Sequence, residues 1–229
     1  MINHALAEAV ERTSGKVLSM SRLQTRANVS HTYSDVLSPE VMNALEALAG
    51  YARRYTVVAK RAGIPFPATI ADTLDVAERL RGDVTTDFGA PSVVAEAETQ
   101  PVRPAAATRL AALVTAAWAV FDEVAADSPA ELRKGPRGGG RDRDKMIDHV
   151  VGAEASYARK LGIKHKPPEI DDIAAIEALR EAIAAVLATR SDGTRVVANG
   201  WTTRYAARRI AWHVLDHAWE MEDRAKPDD

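Results

Sequence analysis

From Ala105 to about Ala126 the chain reads AAATRLAALVTAAWAVFDEVAA, apolar residues recurring without a Gly or Pro to interrupt them, and this pattern predicts a helix. A loop rich in Gly, Pro and Arg follows, DSPAELRKGPRGGGR. Periodic apolar positions resume from about Asp142 to Lys160, with Gly162 as the stop signal. A third helix is expected over Asp171 to Arg190, with acids in its first turn and Arg190 in its last, as the helix dipole prefers. A fourth spans roughly Thr202 to Arg224, after the loop SDGTRVVANG. Four helices of about 20 residues joined by loops bury their apolar stripes most simply as a four-helix bundle, here over residues 103–226.

Residues 1–95 are less regular. GKVLSM suits a short strand, and Ser38 to Ala62 suits a helix with Ser38 as N-cap, Pro39 in the first turn and Gly63 just past the end. ATIADTLDVAERL fits either strand or helix, and TTDFGAP is a turn. The expectation is a mainly α chain: a small α+β N-terminal domain, then ETQPVRPAA as a linker, then the bundle.

Chemistry enters with RIAWHVLDHAWE in the last helix. Residues four apart on a helix differ by about 40° in direction, so His213 and His217 share a face and their nitrogens can converge on one ion about 2 Å from each. The same wheel also permits a plain solvated stripe, because Arg209, Asp216, Glu220 and Arg224 lie on or beside it. Against that, the apolar arc is wide and Trp212 and Trp219 flank the stripe, as they would if it lined a cleft. His149 in the second helix supplies a third imidazole, the number a catalytic metal site needs while keeping a position open. His4, His31 and His165 read as surface residues.

Composition narrows the chemistry. The 229 residues include no cysteine, which excludes disulfides, thiolate ligands and a cysteine nucleophile, and leaves histidine and carboxylate as metal ligands. A formal net charge of -2 gives no reason to expect nucleic acid or an anionic membrane as partner. The N-terminal MINHALAEAVERT lacks a secretory core and LAALVTAAWAVF is shorter than the ~20 residues of a membrane span, so a cytoplasmic protein is expected.

The motifs DHVVGAE, with His149 and Glu154, and HVLDH, with His213 and His217, resemble those of the DinB/YfiT-like superfamily, which includes mycothiol-dependent maleylpyruvate isomerases. The resemblance covers about Arg103 to Arg224 and implies a divalent metal held by His149, His213 and His217 in a four-helix bundle; zinc, nickel and iron all accept imidazole, and the sequence does not choose among them. It carries no particular reaction with it. An ion in that place can activate water, or the sulfur of a low-molecular-weight thiol. Asp216 and Glu220 are candidates to orient an imidazole or accept a proton. Glu154, on the apolar side of its helix, needs a partner, either an arginine or backbone group or the metal site. Arg133, Lys134, Arg137, Arg141 and Arg143 can capture an anion near a helix N-terminus, or simply form a solvated connector. Two classes follow. One is a metal-dependent thiol transferase or hydrolase acting on a small molecule, with a homo-oligomer open; the other is a non-catalytic metal-binding or protein-interaction module.

Overall fold

The computed structural model describes residues 16–18, 52–67, 79–81, 90, 92–135 and 139–225. The chain divides into two compact units, Met1–Lys60 with Ile64–Ala97, and Arg61–Gly63 with Glu98–Asp229. In the first unit, strands β1 (Lys16–Leu18) and β2 (Arg79–Arg81) pair antiparallel, Val17 opposite Leu80. β2 takes up the end of the segment left open between strand and helix. Helix α1 runs over 52–61 within the expected Ser38–Ala62 helix, and Gly63 follows at φ 66. The remainder of that helix, the TTDFGAP turn apart from Ala90, His4 and His31 lie outside the described residues.

The second unit is built on α2 (Pro104–Asp127), α3 (Arg143–Lys160), α4 (Ile173–Leu187) and α5 (Thr203–Ala225). The described residues are thus mainly helical. Each of α2, α3 and α4 packs against α5, and α4 also packs against α2 and α3. That central position accounts for the burial of α5 on nearly every side, including Ile210, Val214, Ala218 and Met221. Among the described residues α2 alone is long and apolar enough to cross a membrane, longer than the LAALVTAAWAVF run suggests, yet its Val114, Ala117, Trp118 and Phe121 are core residues.

Local chemistry sets the helix ends. α2 starts on Pro104, whose fixed φ suits a first turn, and ends where Ser128 precedes Pro129 and turns its hydroxyl back to the Val124 carbonyl at 2.7 Å. α3 closes at Gly162, at φ 78, with the Ile163 N–H donating to the Ala158 carbonyl at 3.0 Å. α4 is shorter than Asp171–Arg190. Asp172, not Asp171, is the N-cap, accepting from the Ala175 N–H at 3.0 Å. At the other end the backbone of Ser191 pairs with that of Val102, which pulls the chain out of helical geometry before Arg190.

The expected linker ETQPVRPAA is fastened to the helices. Besides the Val102–Ser191 bridge, Arg204 donates to the carbonyls of Gln100 (3.3 Å) and Pro101 (3.1 Å), and Arg208 forms an ion pair with the buried Glu98. Polar spacing in the sequence marks the segment as non-helical but hides these partners, which are about 90 to 110 residues away in the chain.

Candidate metal centre

His149 projects from the first half of α3, and His213 and His217 from consecutive turns of α5. The packing of α3 on α5 brings the three rings together, with centroids 5.0 Å (149–213), 4.9 Å (149–217) and 4.7 Å (213–217) apart. One ring nitrogen of each lies within 4.8 Å of the others, so the group can hold a metal ion. Nε2 of His149 and Nε2 of His213 are 3.2 Å apart. Two nitrogens bound tetrahedrally at about 2.0 to 2.1 Å should be roughly 3.3 Å apart, so this pair already has the spacing of coligands. The other nitrogen spacings in the group reach no more than 4.8 Å and would shorten towards this value around one ion.

Protonation favours the same use. Burial, with the neighbouring His217 charge next, pushes the His213 pKa down to about 2, and the same two causes push His149 down to about 4. Both are therefore neutral near pH 7 and offer a lone pair without first losing a proton. Nδ1 of His217 meets the Glu220 carboxylate at 3.1 Å. A carboxylate only accepts, so His217 donates its Nδ1 hydrogen to Glu220, which leaves Nε2 as the nitrogen available to a ligand.

Glu220 is itself held. Its other oxygen takes a hydrogen bond from Arg224 Nη1 at 2.8 Å, and Arg224 Nε donates to the Arg133 carbonyl at 2.6 Å. Burial would raise the Glu220 carboxyl, but the hydrogen bonds and charges of His217 and Arg224 outweigh it and hold the carboxyl below its ordinary range. The cationic loop after α2 is thus tied to the histidines through one arginine. Replacing Glu220 by Gln is expected to weaken zinc affinity about 10- to 100-fold at unchanged fold, measured by competition with a chromophoric chelator.

The other candidates take different places. Asp216 is buried beside the ligands in sequence, but the carboxylate on His217 belongs to Glu220. Glu154 does not support the ligands: five residues beyond His149 it points about 140° away, and it accepts from Arg180 Nε at 3.0 Å and Nη2 at 3.3 Å. Of the loop cations, Arg143 is spent on Asp144 and the Ser128 carbonyl, and Lys134 on Asp142. Asp142 in turn receives the Leu132 N–H at 3.1 Å, so its side chain does not cap α3. Arg133 Nη2 donates to the Asp223 carbonyl at 3.0 Å. Arg141 is exposed, with its charge felt by His149 and His213, and Arg137 lies outside the described residues. His165 is partly exposed and far along the chain in a loop, its Nδ1 at 2.7 Å from the Lys166 carbonyl.

Sequence reasoning assigned no role to Arg209 or Tyr157, which border His213. The Tyr157 ring stands edge-on to His213 at 5.6 Å, and the Trp212 ring lies 6.1 Å away. The Arg209 guanidinium rests 4.9 Å from the Trp212 centroid and 5.8 Å from that of Tyr157. Spacing was the available signal for Arg209, since it stands four residues before His213. No family model, curated protein or solved structure matches this chain.

Proposed function

We propose that this protein is a divalent-metal-dependent enzyme of the DinB/YfiT-like kind, its last four helices forming the bundle of that superfamily. Its reaction is thiol-dependent group transfer or hydrolysis on a small molecule. The observation that carries this reading is the convergence of His149, His213 and His217 from two helices, with His213 and His149 held neutral by burial. Zinc, nickel or iron suits an all-imidazole donor set. Such an ion supplies Lewis acidity, which makes a bound water or thiol acidic enough to act near neutral pH.

The chain's own contribution is to place and shelter that chemistry. Glu220 fixes the His217 tautomer and Arg224 fixes Glu220. Tyr157 and Trp212 wall the His213 side with aromatic surface, which lowers the local dielectric and strengthens charge interactions there. With no cysteine in the chain, a thiol reactant must come from outside.

The test is a screen of small thiols against electrophilic substrates, using untagged zinc-loaded protein. Turnover that needs both zinc and thiol, or zinc and water, and that disappears in His149→Ala at unchanged helix content, is the expected result. Zinc and thiol binding without turnover of any substrate would assign the centre to a non-catalytic module.

A further inference from the structure

Arginines near the core of the second unit mostly have carboxylate partners. Arg180 pairs with Glu154 and Asp122, Arg208 with Glu98, and Arg224 with Glu220. Arg209 differs. No carboxylate among the described residues pairs with it; its Nη1, like Nη2 of Arg224, is buried with no hydrogen-bond partner. A guanidinium presents five N–H donors in a rigid plane, and leaving one buried and unsatisfied is costly. The aromatic faces of Trp212 and Tyr157 hold the plane in position, and the Tyr157 side chain also bonds to it, but neither offers the paired acceptors of a carboxylate.

Its place on the helix gives this guanidinium a direction. Arg209, His213 and His217 follow one another at four-residue intervals along one face of α5, each step rising about 6 Å. The two rings that carry the Arg209 guanidinium are those that border His213.

We propose that Arg209 is a substrate-binding residue, which anchors the carboxylate of a small molecule whose opposite end meets the centre formed by His149, His213 and His217. The ligand class is a short carboxylate bearing its metal-directed group, a thiol or a polarised oxygen, roughly one helical turn from the acid. This assignment rests on the metal-centre reading, and names its ligand.

The probes are 3-mercaptopropionate and its uncharged amide, titrated into cobalt-loaded protein, where thiolate coordination shows in the visible spectrum. The native protein should bind the acid about tenfold or more tightly than the amide, as a charge-assisted bond to a partly desolvated guanidinium implies. Arg209→Gln should abolish that preference while leaving cobalt content and amide affinity unchanged, and Arg209→Lys should restore part of it. Equal binding of acid and amide by native protein, or a preference that survives Arg209→Gln, would overturn the proposal. If no cobalt binds, it is the metal centre that fails. The same pair is then compared on metal-free protein through tryptophan fluorescence, where an Arg209-dependent preference for the acid supports the anchor and its absence overturns it.

Discussion

Replacing His213 by Ala is expected to weaken zinc binding roughly 100- to 1,000-fold, with helix content unchanged. The size follows from the share of a single ligand: structural zinc sites bind with about 10 to 16 kcal/mol from four donors, hence roughly 3 kcal/mol for each. His213 should show the full effect because it is the most deeply set of the three, 6% exposed, and its ring touches both partners. Stability of the metal-free protein should change far less. The imidazole is neutral there, its Nδ1 is buried without a partner, and its removal leaves no charge stranded. Calorimetric zinc titration beside thermal unfolding separates the two effects. A variant that unfolds yet still binds zinc with native affinity per folded molecule would make His213 a core residue and nothing more.

A second large effect is expected away from the histidines. Arg180→Met should destabilise the protein by about 3 to 5 kcal/mol, because it strands a buried carboxylate. Glu154 is 0% exposed, and its charge is met by Arg180, which also reaches Asp122 at 2.8 Å and lies over the Trp118 ring at 5.5 Å. Burial pushes the Glu154 carboxyl above its ordinary range, with Arg180 opposing. Without Arg180 that rise must grow. The sign then follows: a folded-state pKa above the unfolded value means the folded protein takes up a proton more readily, so the loss should be greatest near neutral pH and shrink as pH falls. The double variant Arg180→Met, Glu154→Leu should recover most of the loss, since two apolar groups need no compensation. Urea unfolding across pH 5 to 8 measures all of this. Zinc affinity should stay within about threefold of native, because Glu154 faces away from the ligands.

These two residues show where sequence periodicity is informative. The spacing of His213 and His217 fixes a shared face, because helical geometry is local. The arrival of His149 depends on α3 packing against α5. Helix positions followed from uninterrupted apolar patterning, but the C-terminus of α4 did not, since a backbone bridge from Ser191 to Val102 decides it. Glu154 could be read as needing a partner. That the partner is Arg180 on α4, 26 residues on, is a tertiary fact. Among the acids near the ligands, Asp216 and Glu220 were equal candidates in the sequence. Geometry separates them, because Glu220 sits one turn past His217 and reaches its Nδ1. Arg209 reads as part of a solvated stripe for a related reason: a charged residue on a helix looks solvated until its surroundings, two aromatic rings and no carboxylate, are known.

X-ray absorption at the zinc edge, on untagged protein loaded with one equivalent, looks directly at whether the three imidazoles share an ion. The expected spectrum has three imidazole nitrogens at about 2.0 Å, falling to two in His149→Ala. A shell with one imidazole or none, or one that is the same in native protein and His149→Ala, would contradict a centre built by α3 and α5 together.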